Sequence, residues 1–142
     1  MPRIEHDDIR RLTKRFIDRS LPKAEWTHRA HFAVALGLLA DAKIDAFAEM
    51  PGMIRAYNEA TGVANTNSEG YHETITLASL RAARSFLSKA APATPLESTL
   101  ETLIDSKYGR SNWLLEHWSR ERLFSVEARR KWQAPDLVDL PF

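Results

Sequence analysis

The chain has 142 residues, 44% of them hydrophobic, and its 20 Lys and Arg against 19 Asp and Glu leave a net charge of +1. This length predicts one domain, over residues 1–142, with a core large enough to need no disulfide. Since cysteine is absent, thiolate metal sites and thiol catalysis are excluded, and the near-neutral charge makes nucleic acid an unlikely partner.

The chain contains no segment that resembles a membrane span or a signal peptide. Its longest apolar run, Phe32 to Ala40, is about half of the ~20 residues that a span requires. The N-terminus has no apolar stretch behind its first Arg. We therefore expect a soluble, cytoplasmic protein of bacterial type.

The predicted elements are all helical. Apolar residues at helical spacing predict a first helix on the surface: Ile9, Leu12, Phe16 and Ile17. Asp7 or Asp8 is its expected N-cap. The second helix, from about Lys23 or Thr27 to Leu39, is apolar almost all round and should be central and buried.

A third helix is predicted over roughly Ile44 to Ala60. Pro51-Gly52 should kink or break it, and Gly62 should end it as the residue after the cap. The polar loop of residues 63–70 then leads to a fourth helix, which begins near Tyr71 and ends near Ala90.

The fifth helix should begin with a capping box, in which Thr94 is the N-cap, Pro95 the first helical residue and Glu97 the third. A short helix holding Trp113 to Trp118 follows a break near Gly109. A last helix, capped by Ser119 or Ser125, precedes an extended tail that packs through three apolar side chains: Leu137, Leu140 and Phe142. The expected fold is an all-α, compact single-domain bundle of about five to seven helices.

The first candidate site is the segment from Glu25 to His31. His28 and His31 are one turn apart, so they can share a helix face and form half of a metal site. The alternative is structural, with His28 as a hydrogen-bonding residue of the first turn and His31 as a satisfied core histidine.

The second candidate site is the segment from Asn65 to Thr74. His72 and Glu73 should lie in the first turn of a helix, where the dipole favours a neutral imidazole that suits metal ligation or general-base chemistry. The alternative is ordinary capping, in which Ser68 or Gly70 is the N-cap and Glu73 interacts favourably with the helix dipole. A third group contains Arg55, Asn58 and Glu59. Arg55 and Glu59 form either an exposed ion pair or a buried Arg–carboxylate pair that organises a pocket.

Five short motifs resemble a family of small, functionally uncharacterised bacterial helical proteins. They are W-T-H-x-A-H (residues 26–31), Y-N-E-x-x-G-x-x-N-T (57–66), G-Y-H-E-T-I-T (70–76), L-F-S-x-x-A-R (123–129) and P-D-L (135–137). The resemblance covers nearly the whole chain. It implies a shared compact helical domain and carries no known activity.

We predict one polar pocket where the start of the second helix, the end of the third and the loop before the fourth meet. Its expected metal ligands are His28, His31 and His72, and its expected catalytic bases are Glu73 and Glu59. Its expected ligand-binding residues are Tyr57, Asn58, Asn65, Arg55 and Tyr71.

In the leading hypothesis, these histidines hold a divalent metal (Zn, Fe, Mn or Ni) that activates water in a hydrolase-like reaction on a small polar substrate. Residues 41–73 carry six acidic side chains against two basic ones, which favours a cation over a phosphate. The alternative is a non-enzymatic module that binds a small ligand or a protein. A third hypothesis is a structural subunit whose Trp113 and Trp118 form an exposed patch that is buried in a homodimer.

Overall fold

A computed structural model describes the backbone of residues 6–142 and the side chains of residues 8–142. Over that range the chain forms seven α-helices and no β-strand, which confirms the predicted fold class. The helices are α1 (His6–Ile17), α2 (His28–Ala40), α3 (Ala46–Ala60), α4 (Glu73–Lys89), α5 (Leu96–Asp105), α6 (Arg120–Leu123) and α7 (Val126–Arg130). Three 3₁₀ turns lie between them: Lys23–Glu25, Lys107–Gly109 and Trp113–Glu116. None of the helices in this part of the chain is long and apolar enough to cross a membrane.

Helix α2 is the centre of the bundle and packs against α1, α3, α4 and α5. It begins where the Thr27 hydroxyl accepts a hydrogen bond from the Ala30 N–H (3.2 Å). Phe32 and Leu36 are fully buried on one face of the helix, and Leu38 is fully buried on the opposite face. Burial of each such side chain contributes roughly 1.5–3 kcal/mol to the stability of the fold. A helix that is apolar on all sides is therefore stable only with neighbours on every side, and α2 has the central, buried position that was predicted.

Helix α1 lies on α2, with Ile9 and Phe16 fully buried. It begins at His6, so Asp7 and Asp8 lie within its first turn, and the expectation that either is the N-cap is wrong. The position before the helix lies outside the described residues.

Helix α3 runs without a break through Pro51, so of the predicted kink or break, the break does not occur. Two reciprocal hydrogen bonds cap the N-terminus of α3. The Asp45 side chain accepts from the Ala48 N–H (3.2 Å), and the Glu49 side chain accepts from the Asp45 N–H (2.8 Å). One face of the helix is buried through Met50, Ile54 and Tyr57. Packing of this face compensates for the backbone hydrogen bond that Pro51 cannot donate.

The end of α3 confirms the prediction for Gly62. The residue has a φ of +84°, the Gly62 N–H bonds to the Glu59 carbonyl (3.2 Å), and the Val63 N–H bonds to the Asn58 carbonyl (2.8 Å). This pair of bonds is a Schellman motif. It directs the chain into the loop that precedes α4.

The predicted capping box of α5 does not form. The Thr94 hydroxyl donates to the Ala91 carbonyl (2.6 Å), so it closes the preceding turn. Pro95 occupies the N-cap position, and its carbonyl accepts from the Ser98 N–H (3.0 Å). The helix therefore begins one residue later than predicted.

The C-terminal region contains two short helices where one was predicted, and each has its own serine cap: Ser119 for α6 and Ser125 for α7. Trp113 is 3% exposed and Trp118 is fully buried. The expectation that these two residues form an exposed patch is therefore wrong. The Trp118 indole N–H donates to the Gln133 carbonyl (2.8 Å), which ties the following segment to the bundle.

The tail after Pro135 has no regular secondary structure and is attached through its backbone. The Leu137 N–H donates to the His117 carbonyl (2.9 Å), and the His117 ring donates from Nδ1 to the Val138 carbonyl (2.8 Å). Leu140 and Phe142 pack against the core, as predicted. Leu137 does not, because it is 57% exposed.

Candidate functional site

Two of the three predicted metal ligands line one small pocket, which we call the histidine pocket. Its volume is about 230 Å³. The lining residues are Trp26, Thr27, His28, His31, Ile75, Ser79, Ser111 and Leu114. They come from the start of α2, the first half of α4 and the segment around the last 3₁₀ turn, so the packing of α2 against α4 creates the site.

His28 is held in a fixed orientation at the start of α2. Its Nε2 lies 2.8 Å from the carbonyl oxygen of Tyr108, and its ring lies edge-on to Phe32 with centroids 5.1 Å apart. Because a carbonyl can only accept, Nε2 is the nitrogen that carries the proton. Nδ1 is therefore an acceptor in the neutral ring.

His31 is partly buried and has no hydrogen-bond partner for either ring nitrogen among the described residues. Its ring lies 5.3 Å from the Trp26 ring, centroid to centroid. Burial, and next the proximity of His28, lower its pKa from 6.5 to about 4. His31 is thus a neutral imidazole at pH 7, with one free donor and one free acceptor.

Two serines complete the polar lining of the histidine pocket. Ser79 is only 4% exposed, and its hydroxyl has no hydrogen-bond partner within the described part of the chain. Ser111, from the segment before the last 3₁₀ turn, is exposed. The lining contains no Asp, Glu, Lys or Arg, so its polar groups are hydroxyls and imidazoles.

Trp26 is positioned by an aromatic cluster beneath the pocket. Its ring stacks on Phe16, with centroids 4.6 Å apart and planes 14° apart, and lies 5.4 Å from the Tyr57 ring. Tyr57 was predicted to bind ligand, but it is fully buried, and its hydroxyl donates to the Leu21 carbonyl (3.0 Å). It supports the pocket wall without lining it.

His72, the third predicted metal ligand, lies away from this lining. His72 is the N-cap of α4. Its Nδ1 accepts from the Ile75 N–H (3.2 Å), while its Nε2 donates to the Leu123 carbonyl (2.7 Å). Burial is the main cause that lowers its pKa, and the charge of Arg129 acts in the same direction. Both ring nitrogens are therefore in use. Capping occurs, but at His72 and not at Ser68 or Gly70, and only Glu73 lies in the first turn of the helix as predicted. Among the described residues, no three His, Asp or Glu side chains are arranged to hold a metal ion.

Asn65 connects the polar loop to α3 through hydrogen bonds to four other predicted site residues. Its Oδ1 accepts from the Asn58 side chain and from the Tyr71 N–H, each at 3.0 Å. Its Nδ2 donates to the Arg55 carbonyl (3.1 Å) and to a Glu59 carboxylate oxygen (3.4 Å). The side-chain amide of Asn65 therefore bonds through both its oxygen and its nitrogen, and these bonds hold the loop against α3.

Tyr71 and Glu73, with Arg55, form a separate contact beside this loop. The Arg55 guanidinium lies 4.2 Å from the centroid of the Tyr71 ring, and the Tyr71 hydroxyl donates to the Glu73 carboxylate. Burial and the hydrogen bond to Glu73 raise the pKa of Tyr71. The predicted single pocket is thus divided into the histidine pocket, the His72 cap and this loop cluster.

Two larger grooves, of about 490 and 640 Å³, flank α1. The larger one is lined by arginines that already have carboxylate partners: Arg11 pairs with Asp8, and Arg15 pairs with Glu25. The polar groups of these grooves are mainly exposed charged side chains, which water solvates well, so the grooves are weaker candidates than the histidine pocket.

The sequence pattern missed Ser79 and Ser111. Ser79 had a usable signal, because a serine inside the apolar run of residues 77–80, in the middle of a predicted helix, has no capping or turn role to explain it. Ser111 had none, since it lies in an irregular segment whose position depends on tertiary packing. Comparison of the chain with protein-family models, curated proteins and solved structures finds no match.

Proposed function

We propose that this protein is a non-enzymatic module that binds a small polar molecule in the histidine pocket. The observation that carries the proposal is the pair formed by His31 and Ser79, two buried or half-buried polar side chains without hydrogen-bond partners in the described chain. Their polar atoms border the pocket and are free to bond a ligand. One neutral hydrogen bond of this kind contributes about 0.5–1.5 kcal/mol.

A metal-dependent hydrolase is the second candidate, favoured by the two imidazoles that share the pocket. The free Nδ1 of His28 and the His31 ring could contribute two ligands to a divalent ion. Catalytic zinc sites usually have three protein ligands, and Glu59 and Glu73, the expected bases, do not line the pocket. This donor set fits ligand binding better than metal-assisted hydrolysis.

The proposal is tested by protein-observed NMR with four small probes: benzamide, benzoate, benzylamine and acetamide. We expect at least one probe to shift the backbone amide signals of His31, Ser79 and Ser111 in a saturable way. The His31→Phe variant, which keeps a ring against Trp26 and removes both nitrogens, should weaken that binding. If no probe perturbs these signals, the proposed function is wrong.

Zinc and nickel titrations followed by calorimetry separate the two candidates. We expect weak binding, because the pocket supplies only two imidazoles. Tight stoichiometric binding that is lost in both His28→Ala and His31→Phe would support the metal candidate instead.

A further inference from the structure

We infer that the ligand of the histidine pocket is an uncharged, planar molecule with a mixed donor and acceptor edge, of the aromatic-amide or nitrogen-heterocycle class. This inference rests on the proposed function and names the chemical class for the same pocket. It is argued from the charge, the shape and the hydrogen-bonding groups of the lining.

The lining excludes a charged ligand because it offers no counter-charge. The neighbouring charged residues on the same segment, Glu25 and Arg29, are paired with Arg15 (3.3 Å) and with Glu101 respectively. Neither lines the histidine pocket. An ionised group placed there would lose its hydration without a compensating ion pair, which is unfavourable.

The walls favour a flat ligand. Trp26 supplies a rigid aromatic surface, because Phe16 and Tyr57 hold its ring in place. Ile75 and Leu114 supply apolar surface from the other walls. Aromatic rings gain about 0.5–1.5 kcal/mol from ring contacts beyond the burial of their area.

The polar groups favour a ligand edge that both donates and accepts. The neutral His31 ring and the Ser79 hydroxyl each offer one donor and at least one acceptor, while Nδ1 of His28 offers an acceptor. A primary amide, or the N–H and C=O edge of a heterocycle, matches this set. A carboxylate, which only accepts, would leave the His28 acceptor facing another acceptor.

The size of the pocket limits the ligand to a single small ring system. A volume of about 230 Å³ corresponds to about eight water molecules at ~30 Å³ each. It is below the usual range for drug-sized ligands, which begins at about 300 Å³.

The test uses three probes of nearly identical shape and different charge: benzamide, benzoate and benzylamine. Dissociation constants are measured by NMR titration of the full chain at pH 8, above the ordinary histidine pKa of about 6.5. We expect benzamide to bind at least about tenfold more tightly than either charged probe. Tighter or equal binding of benzoate or benzylamine in the histidine pocket would overturn the ligand class and leave the proposed function standing.

Matched serine variants on α4 give the second arm. Ser79→Ala should weaken benzamide binding by about fivefold, which corresponds to the loss of one neutral hydrogen bond. Ser88→Ala, on an exposed part of the same helix, should leave it unchanged. Equal affinity in the Ser79 variant would contradict the inference. Failure of these three probes and of acetamide to bind would contradict the proposed function itself.

Discussion

Two histidines of this chain have a lowered pKa for the same main reason, burial, but their hydrogen bonds make them different residues. His72 uses both ring nitrogens inside the protein, as donor to the Leu123 carbonyl and as acceptor from the Ile75 N–H. His31 uses neither within the described chain. The first is therefore a structural cap, while the second is available to a ligand.

Replacement of His72 by Ala should destabilise the fold by about 2 kcal/mol. The variant loses the N-cap of α4 and leaves the buried Leu123 carbonyl without its donor. The His72→Asn variant should recover part of the loss, because its side-chain oxygen can accept from the Ile75 N–H. Urea denaturation measures both variants, and equal stabilities for the Ala variant and the wild type would contradict the capping role.

Acid should destabilise the protein through His31. Its pKa is about 4 in the folded state and about 6.5 in the unfolded chain, so between these values only the unfolded chain binds the proton. Stability therefore falls as the pH is lowered from about 6.5 to about 4, by on the order of 3 kcal/mol.

Urea denaturation at several pH values measures this effect. In the His31→Gln variant the slope of stability against pH should be shallower. It should not vanish, because the lowered pKa of His72 acts with the same sign. An unchanged slope in the variant would contradict the assignment to His31.

At the scale of elements, helix type and position followed from local patterns, while the continuity of α3 depended on packing. The all-round apolar sequence of α2 predicted its central position, and Gly62 predicted the end of α3. Pro51 predicted a break that does not occur, because capping at Asp45 and a buried apolar face hold the helix together. Local propensity is a weak guide where such tertiary contacts oppose it.

Replacement by Ala should have opposite effects on stability at two glycines, Gly52 within α3 and Gly70 in the loop after it. Gly70 has a φ of +81°, and a Cβ there would collide with the Ala64 carbonyl oxygen and lie 2.7 Å from Asn65 Oδ1. Gly70→Ala should therefore destabilise the protein by more than 1 kcal/mol.

Gly52 is the matched control, because it lies inside α3 with nothing within 4 Å of the added Cβ. Gly52→Ala should raise stability by about 0.5–1 kcal/mol. Thermal unfolding of the two variants compares them directly. A loss of stability in both, or in neither, would show that local geometry does not control these positions.

At the scale of the molecule, the C-terminal segments determine which histidines can meet. The Thr74 hydroxyl donates to the Lys131 carbonyl (3.1 Å), and Arg129 donates to the Gly70 carbonyl (3.2 Å). These bonds, with the His72–Leu123 bond, hold the start of α4 against α6 and α7. His72 is consequently committed to that interface, although α4 also supplies Ile75 and Ser79 to the histidine pocket.

The attachment of the C-terminal tail to the bundle should depend on the carboxylate of Asp136. Asp136 accepts from the Ser119 N–H (2.8 Å) and hydroxyl (2.7 Å), and these bonds lower the pKa of Asp136. Asp136→Ala should loosen the tail and increase hydrogen exchange at the Ser119 amide. Asp139→Ala removes the same charge from a residue without a hydrogen-bond partner among the described residues, so it should leave exchange unchanged. Equal exchange in the two variants would contradict the anchoring role.

Hydrophobic periodicity, apolar content and turn residues were sufficient to predict an all-α bundle with α2 inside, because these signals act over a few neighbouring residues. The same reasoning placed His28 and His31 on one face, since they are one helical turn apart. Contacts between segments far apart in the chain decided the remaining features: the capping role of His72, the positions of Ser79 and Ser111 in the pocket, and the burial of Trp113 and Trp118. Which carbonyl or wall a side chain meets is decided by how the helices pack, and no local pattern encodes that.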